Sequence, residues 1–250
     1  MPSRHPAALV PVALAAIAVL LAGCSADPST STVKSTRSTS PTPTGPIEMK
    51  GISAGTTLEP ARYAMPLLYN PDDPVRAVVD IPDGYFSAGG WVVDDGHGQL
   101  APDEYGSLSF WGAIDQFDPD PCKVGALVDV GTSVRDLADA LVAQRHRTTF
   151  TPVRVTLGGY QGLYLEGTGP ADPSRCQGGT ATIFSVDPVD PFWLQDGIAG
   201  TIDKLWILDV QGRRVVAAVQ IMPGHTSNPD ELVGIAQSVK FTGLKDNSSS

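Results

Sequence analysis

The chain has few of the residues that make most function classes recognisable. Only 3 of 250 residues are cysteine and 4 are histidine, which excludes a disulfide-dense scaffold and a multi-cysteine zinc framework. Aromatics make up 7% and charged residues 18%. Basic residues are scarce, with 17 Lys and Arg against 27 Asp and Glu, so the formal net charge is −10. That balance opposes phosphate-backbone binding, and no nucleic-acid partner is expected. Long apolar runs are missing too, apart from one at the start, and a mean hydropathy near zero rules out a multi-span membrane protein. What the chain has instead is 26 Gly and 22 Pro, the mark of a fold with many turns.

The one apolar run is Ala7 to Leu21, interrupted by Pro11 and preceded by Arg4. Fifteen residues at 1.5 Å rise give about 22 Å of helix, short of the ~30 Å hydrocarbon core. It reads as a secretory leader rather than a lasting membrane span. The following Leu21-Ala22-Gly23-Cys24 resembles the lipobox of bacterial lipoproteins at all its positions. The resemblance implies cleavage after Gly23 and a diacylglyceryl thioether on Cys24, which becomes the lipidated N-terminus. Residues 1–23 are then the signal peptide. The expected location is the extracytoplasmic face of the cell membrane, with the membrane as a partner through the lipid on Cys24.

Residues 24–46 read as a disordered tether, since 16 of the 22 residues after Cys24 are Ser, Thr or Pro and none offers an apolar face. Such a chain spans about 26 Å on average. Residues 47–245 read as a single extracytoplasmic domain and 246–250 as a tail. Two helices are legible in the domain. Ser133 precedes Val134, Leu137, Ala138 and Leu141 as an N-cap, with Asp136 in the capping-box position. Asn228-Pro229-Asp230-Glu231 opens a second stripe of Leu232, Ile235, Ala236 and Val239. The remainder alternates or turns. Val153–Leu157 and Gln161–Glu166 flank Gly158-Gly159, while Lys204–Val210 and Arg213–Met222 flank Gln211-Gly212, both hairpin patterns. The expected fold class is α+β, an antiparallel sheet covered on one face by two or more helices.

Cys122 and Cys176 remain after lipidation, and an even pair in an exported domain reads as a disulfide. Closing about 55 residues, it would contribute roughly 4 kcal/mol in the chain-entropy picture. The alternative, a reactive free thiol, would need an electropositive setting that Asp118, Asp120 and Asp172 do not supply. Asp120-Pro121-Cys122, the helix Val134–Gln144, Gly159-Tyr160-Gln161-Gly162, Tyr164-Leu165-Glu166 and Cys176 together resemble a family of actinobacterial lipoproteins without an established activity. The likeness runs over about residues 75–242. Its closing helix-then-Phe pattern is similar to the LpqN-like and PsbP-like α+β sandwiches. It implies no functional residues beyond Cys24 and the cysteine pair.

Chemistry-bearing motifs are sparse. Gly131-Thr132-Ser133-Val134-Arg135 lacks the second glycine of a nucleophile elbow, and Ser133 is better used as a cap. His97, in Asp94-Asp95-Gly96-His97-Gly98, offers an acid–His pair in a turn, but no two histidines stand at ligand spacing. Asp115, Asp118 and Asp120 lack the alternating calcium-loop pattern, and Asp118-Pro119-Asp120-Pro121 reads as a rigid turn. No metal or cofactor is expected. Trp111 and Trp206 fall in hydrophobic alternation and read as core, whereas Trp193 lies in a Pro- and Asp-rich stretch and reads as an interaction edge. The expectation is a non-catalytic, lipid-anchored binding module that takes an envelope protein or small ligand. The alternatives are a lipid or glycolipid carrier with an apolar cavity and, less favoured, an envelope hydrolase assembled only by the fold.

Overall fold

A computed structural model of the chain describes residues 45–68, 73–95, 104–123, 127–185, 193–225 and 228–244. The leader, Cys24, the tether up to residue 44 and the 246–250 tail lie outside the described residues. The chain begins with β1 (Ile47–Glu48), β2 (Thr56–Leu58), β3 (Ala61–Pro66), β4 (Arg76–Ile81), β5 (Tyr85–Ala88) and β6 (Val92–Asp94). Then come β7 (Gly106–Gly112), β8 (Gln116–Phe117), β9 (Val128–Asp129), helix α1 (Val134–Ala143), β10 (Thr148–Thr149), β11 (Val153–Leu157) and β12 (Tyr160–Thr168). The last part holds β13 (Ala181–Ser185), β14 (Trp193–Asp196), β15 (Ile202–Val210), β16 (Arg213–Ile221), helix α2 (Pro229–Gln237) and β17 (Lys240–Thr242).

Nine strands form the central sheet, in the order β10-β12-β15-β16-β7-β6-β5-β2 with β11 also paired to β12. Its middle is the long β15–β16 hairpin, in register from Ile202↔Ile221 to Val210↔Arg213. Gln211 and Gly212 close that hairpin with both φ angles positive, as a two-residue turn twisted to match its strands requires. Gly158 and Gly159 do the same between β11 and β12. Gly162 on β12 serves a different need: a Cβ there would stand 2.1 Å from the carbonyl oxygen of Ile207. Only glycine lets the two strands approach so closely.

Period-two alternation sorts the central strands onto two cores. Leu108, Phe110, Trp206, Leu208, Val215, Ala217 and Val219 face one side, where they meet Tyr63, Met65, Val79, Leu232, Ile235 and Phe241. Trp111, Leu205, Ile207, Val216 and Ala218 face the other, against Leu137, Leu141, Phe117, Ile183 and Phe184. The first core is closed by α2 and a four-stranded sheet of order β1-β3-β4-β17. The second is closed by α1 and a four-stranded sheet of order β14-β13-β8-β9.

This overturns the α+β expectation. The described residues form seventeen strands and two α-helices, of ten and nine residues, in a β-rich fold. The helices do not share one face but take one core each. The physical reason lies in the middle strands: both their faces are apolar, and two short helices cannot cover both. Short strands fill the rest. Where helices were legible they stand as read, with Ser133 and Asp136 forming the complete capping box of α1 and Asn228 capping α2. The second ends at Gln237, and Lys240–Thr242 leaves it as a strand paired with β4.

One ion pair interrupts the second core. Arg147 donates from Nη2 to Asp203 Oδ2 at 2.6 Å, both side chains almost wholly buried, and Gln220 Nε2 donates to Asp203 Oδ1 at 2.9 Å. The pair ties the segment after α1 to the centre of the sheet. Asp203→Ala leaves the Arg147 charge buried without its carboxylate, an expected loss of about 3–5 kcal/mol in urea unfolding. Arg62→Gln, which breaks only the exposed pair with Asp80, should leave the urea midpoint close to wild type. Equal losses from the two would contradict the buried role of Asp203.

Candidate functional site

A helix of ten residues extends only ~15 Å, so α1 covers part of the second-core face and no more. Beyond its first turn the same face continues uncovered. There Arg154 on β11, Gln161 and Leu163 on β12, and Asp209 and Arg214 at the β15–β16 turn make the floor of an open cleft of about 780 Å³. The walls are the start of α1, from Thr132 to Arg135, and the chain at Gly212–Arg213. Three arginine side chains from separate stretches of chain, Arg135, Arg154 and Arg214, thus border the cleft in a protein of net charge −10.

The three are held differently. Arg214 donates from Nη1 to the Ser133 carbonyl at 2.9 Å and from Nη2 to the Ile114 carbonyl, fastening the start of α1 to β16. Its Nε–H is buried with no hydrogen-bond acceptor. Burial pushes its guanidinium pKa down, while Asp115 and Asp136 oppose that shift. The neighbouring Arg213 turns to the opposite face of the sheet, where its Nη1 meets both carboxylate oxygens of Asp73 at 2.7 and 2.6 Å. Arg135 meets Asp139 at 3.5 Å, both side chains exposed. Arg154 is exposed and makes no hydrogen bond or ion pair among the described residues. The single carboxylate lining the cleft, Asp209, accepts from the Gly212 N–H at 2.7 Å and holds the turn. The α1 N-terminus is answered by its own box, since Asp136 accepts from the Ser133 N–H at 3.0 Å and donates its own N–H to Ser133 Oγ at 3.0 Å. Ser133 is therefore a cap, and the cleft's positive charge comes from its arginines.

The other sequence candidates are scattered. Cys122 and Cys176 are joined in a disulfide. It anchors the turn holding Asp118 and Asp120, where Asp118 Oδ1 accepts from the Asp120 N–H at 2.9 Å. Asp120 gathers Lys123 at 2.9 Å, His146 at 3.4 Å and Arg145 at 3.8 Å. The Lys123 contact is the main cause holding its carboxyl below the ordinary range. No group of three metal-ligating side chains occurs among the described residues. Trp111 and Trp206 are core residues, one in each core. Trp193 does not stand in a loop but begins β14, where it pairs with Ser185 of β13. His97 lies outside the described residues.

Sequence reading missed one acid–histidine pair. Asp95 pairs not within its own turn but with His225 Nε2, 130 residues away, and both side chains are nearly inaccessible. Asp95 also accepts the Gly106 N–H at 2.9 Å. The other imidazole nitrogen, Nδ1, is buried and has no hydrogen-bond partner among the described residues. Among the described residues no serine, threonine or cysteine is hydrogen-bonded to it. The cleft arginines were missed as well. They fall at strand and helix positions with nothing in common locally, and only the fold places them together. No helix among the described residues is long and apolar enough to cross a membrane. No family model matches the chain, nor does any curated protein or solved structure.

The capping box beside the cleft has a pH signature. The N–H and hydroxyl of Ser133 hold the Asp136 carboxyl below its ordinary value, with Arg214 adding to the effect. A depressed folded-state pKa means the contribution is complete above the ordinary carboxylate value, about 3.9, and is lost as pH falls through the lower folded value. The urea midpoint of Asp136→Asn should therefore lie below wild type at pH 7, and the gap should close on acidification below about pH 4. A gap independent of pH would assign the effect to packing instead.

Proposed function

We propose that this chain is a lipid-anchored, extracytoplasmic binding module of the cell envelope and not an enzyme. The observation that carries the reading is the cleft at the start of α1: an open concavity, sized for a small ligand, whose floor is furnished with polar and cationic side chains rather than a reacting constellation. The lipobox ending at Cys24 and the Ser/Thr/Pro tether would hold the domain to the membrane through a flexible chain spanning about 26 Å on average. Cleft and anchor are consistent parts of one device, since acyl chains supply the residence and the domain supplies the recognition.

Two further features support binding over catalysis. Ser133, the serine nearest a nucleophile pattern, is committed to helix capping. The buried Asp95–His225 pair is committed to joining the chain after β6 to the turn after β16. The carrier alternative has less in its favour. The spaces where α1 and α2 meet the sheet are occupied by Leu137, Leu141, Trp111 and Phe184 on one side and by Leu232, Ile235 and Phe110 on the other.

Membrane attachment through Cys24 is tested by detergent phase partitioning in an actinobacterial host. The wild-type chain should enter the detergent phase, and Cys24→Ser should accumulate as an unprocessed or aqueous-phase protein. Unchanged partitioning of the variant would refute lipid anchoring. Binding at the cleft is tested by native mass spectrometry of the chain from the same host. A co-purifying mass should be present in wild type and lost in Arg154→Glu, at an exposed side chain lining the cleft. A bound mass that survives this variant would move the recognition site elsewhere.

A further inference from the structure

We propose that two copies of this chain pair edge to edge through β11, antiparallel about Val155, so that each copy continues the cleft floor of the other. The inference goes beyond the binding-module reading and does not depend on it. It starts from an unguarded edge. β11 is an outer strand and pairs on one side only, with β12. The N–H and C=O groups of its other side find no hydrogen-bond partner among the described residues. Sheet edges are ordinarily blunted by short strands, bulges, lysine or proline. The other outer strands, β1, β2, β9, β10, β14 and β17, follow that rule with two to four residues each. β11 has five, runs in unbroken register from Val153↔Tyr164 to Leu157↔Tyr160, and holds no proline or lysine. Val153 at its start and Phe150 just before it are the two most exposed large apolar side chains among the described residues, at 52% and 58%.

The strand is complementary to itself. Val153-Arg154-Val155-Thr156-Leu157 carries one charge, so where the two arginines fall decides how two such strands meet. A two-fold axis at Val155 engages all five residues of each copy. Val153 then lies beside the partner's Leu157, and Arg154 beside the partner's Thr156. An axis at Arg154 would set guanidinium against guanidinium, and one at Thr156 would carry Val153 past the end of the partner's strand. In the favoured register Phe150, five residues before the axis, stands level with the partner's Tyr160, five residues after it. Such a contact is isologous and closes at two copies. It also bears on the cleft. Arg154 and Thr156 share the face that makes the cleft floor, and β11 is the last strand of that floor. Edge pairing carries the floor across the axis into the partner's cleft, and two open concavities become one symmetric trough.

The test is the mass of the full chain by sedimentation equilibrium, in a neutral maltoside detergent with micelles in excess over protein. Wild type should sediment as two chains. Thr156→Lys, at an exposed position, brings an ammonium opposite the partner's Arg154 and should weaken association by about tenfold or more. Arg154→Glu/Thr156→Lys sets opposite charges across the same two positions and should restore the two-chain mass, a recovery that a misfolded Thr156→Lys would not show. Val155→Cys, which meets its own copy on the axis, should join two chains on mild oxidation, whereas Val142→Cys, exposed on α1, should not. A single-chain mass for wild type at every concentration overturns the proposal. So does a two-chain mass that Thr156→Lys leaves unchanged or that the charge swap fails to restore. Oxidation that joins Val142→Cys as readily as Val155→Cys overturns it as well.

Discussion

The constraint on which the rest of this structure depends is that the three middle strands of the central sheet are apolar on both faces. Every residue of β7 is buried, and from Val215 to Ile221 every residue of β16 is buried as well. An antiparallel sheet commonly leaves one face to solvent. Here that option is closed, since each exposed Val, Leu or Phe would forgo roughly 1.5–3 kcal/mol of burial. Both faces therefore require a cover, and the chain builds two of different composition. The N-terminal strands and α2 close one side, while α1 and the strands around the disulfide close the other.

Local signals in the sequence were strong where the structure they specify is local. A capping box, a Pro at the first helical turn and a Gly-containing two-residue turn are each decided by four or five consecutive residues. Both helices and both long hairpins were legible on that basis. The fold class was not. β1, β8, β9 and β10 have two residues each and carry no periodicity, so they exist as strands only because a partner lies alongside. β3 reads Ala-Arg-Tyr-Ala-Met-Pro, whose alanines and proline argue against a strand until Val79 and Val78 of β4 pair with it. Without these strands the helices looked like the principal cover of the sheet, and the α+β expectation followed. The disulfide was legible from cysteine arithmetic alone because only one pairing was available to the domain.

Polar long-range pairs were illegible for the same reason. Asp95 has His97 two residues away and pairs instead with a histidine 130 residues on. Asp203 stands just before the stretch legible as a strand, Lys204–Val210, yet it is buried within β15, because Arg147 arrives from beyond α1 to neutralise it. Each such partner is supplied by a different stretch of chain. A pattern read along one strand can locate the charged residue but not the one that makes its burial tolerable.

The arginine cleft follows from the same geometry that makes the sheet two-sided. A face wide enough to need both a helix and a second sheet cannot be covered to its edge by ten helical residues, and the uncovered remainder lies where α1 begins. Arg214 marks that boundary. Two of its nitrogens hold the carbonyls of Ser133 and Ile114, so the residue that fixes the start of the helix also contributes charge to the space left in front of it. This places a structural cation and a freer one, Arg154, around a single concavity. A ligand drawn there would meet a wall already fixed by the fold and would need to order chiefly the side chain of Arg154. That division keeps the entropic cost of binding small, because most of the positive surround is organised before any ligand arrives.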